Sequence, residues 1–492
     1  MTDTITPDRR TYRDKVLACW LGKNIGGTLG APYETQKHVH DLEFYDPVPE
    51  EPLPNDDLDF QLVWLKMLEE EGVCPTLPDF ADYWTRYLSA YPWNEYGFCR
   101  RNLARGLLPP ISGCFENYYV DEMGSPIRSE IWACTAPADP QLAAARAWSD
   151  SALDHAGGEG MLGEMFWAAV ESAAFVIEDP VRLIRIGLNM IPVPSAVSRV
   201  VREALWCRRN GLRWAEARQR IATTFGHSQP CNAVPNHGFM ILGWLYGRDF
   251  GDRLCKAVNC GYDTDCTGAT LGSVLGIVGG TAAIPERWRR PVGEGIVLHR
   301  FTGDCDAPAD VQELTDRTVV VGEKVIEQLS RTTELGASTE LPEEAESLLF
   351  RNDAARRALS RDVHCAVAVD GDLEVRLHYG GEPVLRPGLA RKVEVSLHRA
   401  GEPVDAPVEL LAPEDWRVDP VPGDRGAAFK LTAEAPAGRN TLEARVTDGA
   451  AERTVSFIIL GPDEAESYPA ATNLPYCPEC NGLKGYCLCT RS

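Results

Sequence analysis

The sequence predicts a multidomain chain with an all-α domain first, a β-sandwich second and a cysteine-rich tail last. Between residues 8 and 330, apolar residues such as Leu58, Leu62 and Leu65 recur at three- or four-residue spacing, which is the helical period. After residue 362 the period changes to two, which is typical of strands buried on one face. The first part does not alternate strands with helices, so a doubly wound parallel sheet is not expected.

The size and charge of the chain narrow the classes of partner. A chain of 492 residues with a formal charge of -23 is expected to form two or three domains with an acidic surface. Such a surface repels phosphate backbones, so general binding to nucleic acid is not expected. No apolar stretch is long enough to span a membrane, and residues 1–10 lack the apolar core of a signal peptide. We therefore expect a cytoplasmic protein with no membrane partner.

The predicted boundaries follow composition and period. The helical domain covers 8–330, and a polar, charged linker with a helical stretch follows at 331–361. Residues 362–462 combine alternating segments with turn clusters such as "YGGEP" and "VPGDRG". This pattern predicts a β-sandwich of immunoglobulin or fibronectin type. The remaining residues, 463–492, form the cysteine-rich tail.

The tail carries a Cys-x₂-Cys pair and a Cys-x-Cys pair, which together can form a tetrahedral zinc knuckle. The alternatives are a reduced tail and disulfides formed on oxidation. A reducing cytosol favours zinc, and zinc would supply the folding free energy that so short a segment lacks. The predicted ligands of this structural Zn²⁺ are Cys477, Cys480, Cys487 and Cys489.

Three segments of the helical domain carry unusual residues, and the first is rich in glycine. The segment "LACWLGKNIGGTLGAPYE" at 17–34 places Gly22, Gly26 and Gly30 at helical spacing. Small residues at this spacing let two helices approach closely, so tight packing is the simplest explanation.

The other two segments, "PNDDLDF" and "GYDTDCTG", place several carboxylates at predicted helix starts. Capping and the helix dipole explain one acidic residue there, but adjacent carboxylates repel each other unless a cation lies between them. Mg²⁺ prefers about six oxygen ligands, and two such clusters could share that task. The sequence therefore predicts a magnesium site. The predicted ligands are Asn55, Asp56, Asp57, Asp263 and Asp265, and Asp59 is a further acidic residue beyond what capping needs.

Taken in this order, the three segments resemble the ADP-ribosylglycohydrolase superfamily, which includes dinitrogenase-reductase-activating glycohydrolases and ADP-ribosyl-acceptor hydrolases. The family has a Gly-Asp-x-x-Gly helix, then a Thr-Asp-Asp-Thr motif and, late in the domain, Gly-Gly-Asp-Thr-Asp-Thr before a glycine-rich helix. The similarity covers about residues 10–300. It implies a compact all-α domain with two magnesium ions in a cleft.

The resemblance also implies a set of site residues. Glu34 matches an acidic residue that assists catalysis in some members, and Glu34 or Asp57 is expected to transfer the proton. "GSPIRS" at 124–129 matches a substrate-holding loop, and "SALDHAGGEG" matches a Thr-His segment. The implied magnesium ligands are Asn55, Asp56, Asp57, Asp263 and Asp265, with Thr267 as a substitute ligand. The implied substrate contacts are Gly124, Ser125, Arg128 and His155.

The sequence departs from the family pattern at four positions. Asn55 replaces the first Thr, Leu58 occupies the fourth position of that motif, and Gly27 stands where Asp is usual. Cys266 replaces a ligating Thr, and sulfur is a poor magnesium ligand. We therefore expect one magnesium ion, or two that bind with unequal affinity.

These residues predict a magnesium-dependent glycohydrolase that cleaves an N- or O-glycosidic bond at a ribose-like C1, such as that of an ADP-ribosyl group. The metal would bind the sugar diol and orient or activate water. One alternative is a glycoside hydrolase for a nucleoside or carbohydrate, which the appended sandwich favours by association. A second alternative is a catalytically silent ligand-binding protein, which the missing Thr ligands favour and the retained carboxylates oppose.

Overall fold

A computed structural model describes residues 4–465, which fall into two compact units. The first unit contains the chain up to Cys74, then Asp121–Ser151 and Gly158–Ser360. The second contains Pro75–Val120, Ala152–Gly157 and residues 361–465. Within the described residues, no helix is long and apolar enough to cross a membrane. The four predicted zinc ligands lie outside the described residues, and the zinc site stays a prediction.

The first unit is helical, and the second combines four helices with two β-sheets. Short 3-10 helices occur at Ala31–Tyr33, Pro126–Arg128 and Thr281–Ala283. In chain order the α-helices are α1 Arg9–Gly30, α2 Asp56–Glu70, α3 Leu77–Tyr87, α4 Asn94–Ala104, α5 Ile111–Cys114, α6 Ser129–Thr135, α7 Pro140–Ser151, α8 Glu159–Ala174, α9 Pro180–Met190, α10 Ala196–Arg209, α11 Trp214–Phe225, α12 Ala233–Tyr246, α13 Phe250–Val258, α14 Thr264–Gly279, α15 Glu286–Val292, α16 Val311–Leu329, α17 Ala345–Leu349, α18 Asp353–Leu359 and α19 Pro462–Ala465.

Helices α1 and α14 pack antiparallel along a stripe of glycines. A Cβ atom at Gly22 would lie 2.1 Å from the carbonyl oxygen of Gly272. A Cβ at Gly26 would lie 1.9 Å from the carbonyl oxygen of Gly268. The stripe continues at Gly30, next to the carbonyl of the first residue of α14. The close approach that the glycine spacing predicted is therefore present, and it brings the C-terminal end of α1 to the N-terminal end of α14.

The segment 331–361, which was expected to be a linker, belongs to the helical unit as far as Ser360. Leu349 in α17 and Ala355 in α18 are buried. Thr333 forms a parallel β-bridge with Ile5 near the start of the chain. The polarity that suggested a linker belongs to the exposed faces of these short elements, whereas their few apolar residues are anchored in the unit.

The strands of the second unit form two antiparallel sheets. A six-stranded sheet has the order β1-β2-β3-β7-β6, with β4 also paired to β3, and a three-stranded sheet has the order β5-β8-β9. The strands are β1 Cys365–Asp370, β2 Leu373–His378, β3 Arg391–Arg399, β4 Glu402–Val404, β5 Val408–Leu411, β6 Arg417–Val421, β7 Ala427–Thr432, β8 Arg439–Asp448 and β9 Ala451–Leu460.

One hydrophobic core joins the two sheets. Leu373, Val375 and Leu377 of β2 share this core with Leu442 and Ala444 of β8. The period of two therefore places alternate side chains between the sheets, as a sandwich requires. The multidomain fold predicted from the sequence, an all-α domain followed by a β-sandwich, is confirmed.

The helical segment around residue 110 also packs into the sandwich core. Leu107, Ile111 and Phe115 belong to the same buried cluster as the strands, and Val367 N donates a 3.0 Å hydrogen bond to the carbonyl of Pro109. This grouping differs from the boundaries drawn along the sequence, which assigned these helices to the first domain. Helical period reveals that a helix has an apolar face, but it does not reveal which core receives that face.

Candidate metal centre

Two helix starts in the first unit carry Asx residues that do not cap their helices. Asn55 is the N-cap residue of α2 and Asp263 that of α14, yet neither side chain caps its helix through a hydrogen bond to any described residue. Aspartates at the same position of four other helices do accept a backbone hydrogen bond, namely Asp8, Asp179, Asp249 and Asp310. Capping therefore does not explain the polar groups at the starts of α2 and α14.

The loop before α14 has a strained conformation that fixes Asp263. Tyr262 has a φ of 75°, which few residues other than glycine adopt without support. Its backbone N donates to the carbonyl of Gln36 at 2.9 Å, and its own carbonyl accepts from Thr35 N at 2.8 Å. The backbone N of Asp263 donates to Asn236 Oδ1 at 3.2 Å. These bonds join the loop after α1 to the start of α14, and strain of this kind is concentrated at functional sites.

The first cluster of metal-ligating groups contains Asp57, Asp265 and Cys266, whose ligand atoms all lie within 4.8 Å of one another. Cys266 Sγ donates to Asp57 Oδ1 at 3.5 Å. Asp57 is only 1% exposed. Asp57 Oδ2 and Asp265 Oδ1 are buried and have no hydrogen-bond partner in the described part of the chain. Buried oxygens of this kind are costly unless something else satisfies them.

The second cluster contains Glu34, Cys231 and Asp263, again with ligand atoms within 4.8 Å of one another. Asp263 is 1% exposed, and its Oδ1 has no hydrogen-bond partner among residues 4–465. Glu34 is exposed and Cys231 is half-buried, so solvent reaches this cluster. Cys231 was not singled out from the sequence, because a lone cysteine between two helices has no motif of its own.

Burial and mutual repulsion act on the carboxyl groups of both clusters. Burial raises the pKa of Asp57 well above its usual value, and Asp265 raises it further against the opposing effect of Lys23. Burial and the neighbouring Asp265 also raise the pKa of Asp263 well above its usual value. A divalent cation would supply the positive charge that these groups lack. The donor set of buried carboxylates with unused oxygens therefore fits such an ion.

A buried lysine that no sequence motif marks lies behind the first cluster. Lys23 is fully buried in α1, and its Nζ donates to Glu130 Oε1 at 2.8 Å and lies 3.8 Å from Asp57 Oδ2. Burial lowers the pKa of Lys23, but Glu130 and Asp57 raise it more, so the net shift is upward. Gln61 Nε2 donates to the other oxygen of Glu130 at 3.0 Å. The signal in the sequence was a charged residue within the glycine-rich segment of α1.

Gly27 and Asn55, two positions at which the sequence departs from the family pattern, are neighbours in space. A Cβ atom at Gly27 would lie 2.7 Å from Asn55 Nδ2, so the glycine leaves room for the carboxamide. Asn55 Nδ2 is buried and has no hydrogen-bond partner among the described residues. The amide group therefore lies against α1, at the start of α2. Its role as a metal ligand stays a prediction.

Asp59 and the remaining predicted ligands, Asp56 and Thr267, have different surroundings. Asp59 Oδ2 accepts from His299 N at 2.7 Å and from Thr302 Oγ1 at 2.6 Å, which anchors the loop after α15. Asp56 is half-buried at the first position of α2. Thr267 is buried, and its Oγ1 donates to a carbonyl within α14 at 3.2 Å. Ligand roles for Asp56 and Thr267 also stay predictions.

The predicted substrate loop is packed into the first unit. Ser125 Oγ is 2.7 Å from Ser151 Oγ and donates to Glu164 Oε2 at 2.5 Å. Arg128 Nη2 lies 2.8 Å from Asp150 Oδ1, and both side chains are fully buried. The loop that contains the buried Gly124 is held near the second cluster, because the backbone N of the preceding residue donates to the carbonyl of Cys231 at 2.8 Å. These side chains stabilise the loop, and their contact with substrate stays a prediction.

His155 belongs to the second unit, within Ala152–Gly157. Its Nδ1 lies 2.8 Å from Asp154 Oδ1, and its ring lies edge-on to that of Tyr96 at a centroid distance of 6.4 Å. The structure therefore does not place His155 in the same unit as the two clusters. Its role in substrate binding stays a prediction.

The comparison with known proteins covers the helical part of the chain. A family model described as ADP-ribosylglycohydrolase matches residues 8–325, which is more than half of the 492 residues. A search of curated proteins found no match. A solved structure titled "ADP-ribosylglycohydrolase-related protein complex" is 19% identical, with 64% of this chain and 99% of that chain covered and a TM-score of 0.41. The two acidic helix starts lie inside the residues matched by the family model. This chain therefore belongs to the ADP-ribosylglycohydrolase family, which implies hydrolase activity on ADP-ribose-like substrates.

Proposed function

We propose that this chain is a metal-dependent glycohydrolase that cleaves an N- or O-glycosidic bond at a ribose-like C1, such as that of an ADP-ribosyl group. The observation that carries the proposal is that one buried carboxylate oxygen on each of Asp57, Asp263 and Asp265 has no hydrogen-bond partner within the described residues. They stand at helix starts whose Asx side chains are not used for capping. A bound cation, which is not part of the polypeptide, accounts best for this arrangement.

Asp57, Asp263 and Asp265 would hold the cation, with Asn55 and Asp56 beside them at the start of α2. Magnesium is the ion that we predict for their oxygens, with one ion or two of unequal affinity. When bound, a divalent cation acts as a Lewis acid and orients water and substrate.

Glu34 is better suited than Asp57 to move a proton. Its side chain is exposed and its ligand atom lies within 4.8 Å of that of Asp263, so it can accept a proton from water at the edge of the centre. Asp57 is enclosed between Lys23 and Cys266, which suits a ligand. Lys23 acts as a positioning residue, because its ammonium group holds Asp57 and Glu130 in place.

An ADP-ribosyl group carries a diphosphate, which a chain with a formal charge of -23 would repel. A cation at the two clusters would weaken that repulsion locally. A nucleoside or carbohydrate glycoside is the alternative substrate class, and the presence of a β-sandwich in the second unit favours it by association.

The test uses full-length protein and a synthetic ADP-ribosyl peptide, with release of ADP-ribose measured by chromatography. We expect release with Mg²⁺, loss of release with a chelator, and loss in Asp57→Asn and Asp265→Asn. Asp179→Asn is the matched control, because it changes an aspartate that caps α9 and asparagine caps equally well.

The outcome separates the alternatives. Hydrolysis of a nucleoside or an aryl glycoside but not of the peptide would support the second substrate class. Metal binding without hydrolysis of either kind of substrate would contradict the proposed enzyme and support the silent ligand-binding protein. Hydrolysis that persists in Asp57→Asn and Asp265→Asn would show that the centre is elsewhere.

A further inference from the structure

We infer that the metal centre is a mixed oxygen and sulfur site, which binds a thiophilic divalent cation such as Zn²⁺ more tightly than Mg²⁺. The inference rests on the proposed function, because it concerns the same centre. Its basis is that each of the two clusters contains one cysteine, Cys266 in the first and Cys231 in the second.

The sulfur of Cys266 is placed as a ligand of a shared ion would be. Cys266 Sγ is 3.5 Å from Asp57 Oδ1. Around a tetrahedral zinc ion, an oxygen at about 2.0 Å and a sulfur at about 2.3 Å from the metal lie about 3.5 Å apart. Asp265 supplies a third ligand atom within the same 4.8 Å limit. The first cluster would therefore offer three ligand atoms, one of them sulfur, to a single ion.

The backbone at Cys231 is held by hydrogen bonds to a neighbouring segment. The carbonyl of Cys231 accepts from Met123 N at 2.8 Å, and the next residue, Asn232, forms a β-bridge with Glu122. Its Sγ shares the second cluster with the buried Asp263 and the exposed Glu34. The exposed carboxylate leaves a route by which a hydrated ion can enter.

Packing alone does not explain the position of these two thiols. Other cysteines of the first unit, such as Cys19 and Cys207, are fully buried, as structural cysteines usually are. Cys231 and Cys266 are half-buried and lie among carboxylate ligand atoms instead. Asp57 Oδ2 and Asp263 Oδ1 are buried and have no hydrogen-bond partner within residues 4–465, so each cluster also contains a carboxylate oxygen that is available to a cation.

The chemistry of the donors sets the preference. Zn²⁺, Co²⁺ and Cd²⁺ bind thiolates readily, whereas Mg²⁺ prefers oxygen and retains its water. On binding, each thiol loses its proton to the buffer and a metal–sulfur bond forms, with no change of oxidation state. A thiophilic ion can therefore use every donor in a cluster, while Mg²⁺ uses only the oxygens.

The test measures charge-transfer absorption between sulfur and metal in the full-length chain. Because the tail thiols would also bind such ions, all measurements use a background in which the four tail cysteines are replaced, namely Cys477→Ser, Cys480→Ser, Cys487→Ser and Cys489→Ser. Metal-free protein is titrated with Co²⁺ and with Cd²⁺, and then with Zn²⁺ or Mg²⁺ as a competitor.

We expect a thiolate-to-metal band that Zn²⁺ removes at stoichiometric amounts and that Mg²⁺ leaves unchanged at a large excess. Cys266→Ser and Cys231→Ser should each weaken the band, and the double variant should abolish it. Cys74→Ser is the control, because Cys74 is an exposed thiol outside both clusters, and it should leave the band unchanged. Cys266→Thr restores an oxygen and should lower the affinity for Zn²⁺ at least about tenfold.

Circular dichroism of each variant verifies that it is folded, and Cys266→Thr replaces Cys266→Ser if the serine variant unfolds. The inference is overturned if no band develops, if Mg²⁺ displaces Cd²⁺ at comparable concentration, or if the band persists in the double variant. These outcomes are independent of catalysis. A band without hydrolysis would overturn the proposed enzyme but support the mixed oxygen and sulfur site. Hydrolysis without a band would support the enzyme and overturn the mixed site.

Discussion

Replacement of Lys23 by methionine should strongly destabilise the helical unit. The variant Lys23→Met keeps the length of the side chain but removes the ammonium group that lies 2.8 Å from Glu130 and 3.8 Å from Asp57. All three side chains are at most 1% exposed, so water cannot replace the lost charge. Removal of one member of a buried ion pair leaves the other charge uncompensated, which costs about 3–5 kcal/mol. This loss is a large fraction of the total stability of an ordinary domain, about 5–15 kcal/mol.

A lysine on the same helix provides the matched control. Lys15 is also buried, but its Nζ donates to the carbonyls of Ala174 at 2.9 Å and Phe175 at 3.0 Å, and no carboxylate oxygen lies within 4 Å of it in the described structure. Lys15→Met leaves neutral carbonyls without a donor, and this should cost only about 1–2 kcal/mol. The difference between the two variants isolates the effect of the buried carboxylates from the effect of removing a buried lysine.

The assay is urea-induced unfolding followed by the helical signal in circular dichroism, since the first unit contains most of the helices. The double variant Lys23→Met/Glu130→Gln should recover at least about 1 kcal/mol relative to the sum of the single changes, because both charges are then absent. The reasoning would be refuted if Lys23→Met were no more destabilising than Lys15→Met, or if the effects of Lys23→Met and Glu130→Gln were additive.

Three further outcomes are expected. Gly26→Ala should destabilise the first unit by about 1–3 kcal/mol in the same assay, because the new methyl group would meet the backbone of Gly268 in α14. Gly295→Ala is the control and should be nearly neutral, because its Cβ would have no neighbour closer than 3.4 Å. Burial lowers the pKa of His237 to about 4, so the unfolded state binds a proton first, and the contribution of His237 to the free energy of unfolding should fall by about 3 kcal/mol as the pH drops from 6.5 to 4. That pH dependence should be absent from His237→Gln, and an unchanged slope would contradict it. Titration calorimetry with Mg²⁺ should show unequal sites or a single site, and Cys266→Thr should strengthen the weaker one; two equally tight sites in the unmodified protein would contradict this expectation.

The sequence by itself determined the features that depend on a single segment. The helical period of α2 and the alternation of β2 are local patterns, and they predicted the all-α domain and the β-sandwich correctly. The crowding of Asp263 and Asp265 at one helix start is local as well, because it is visible in three consecutive residues. The glycine spacing of α1 predicted a close helix contact, although it did not identify α14 as the partner.

Only the tertiary structure decided which distant residues meet. Cys231 joins Glu34 and Asp263, and Lys23 reaches Asp57, although none of these pairs belongs to one motif. Helices α3 to α5 are grouped with the β-sheets, although they lie between helices of the first unit in the sequence. The physical reason is that periodicity records whether a face of one segment is buried, while the partner of that face depends on packing across the whole chain. The role of a single cysteine or lysine can therefore be inferred only when the fold shows which residues surround it.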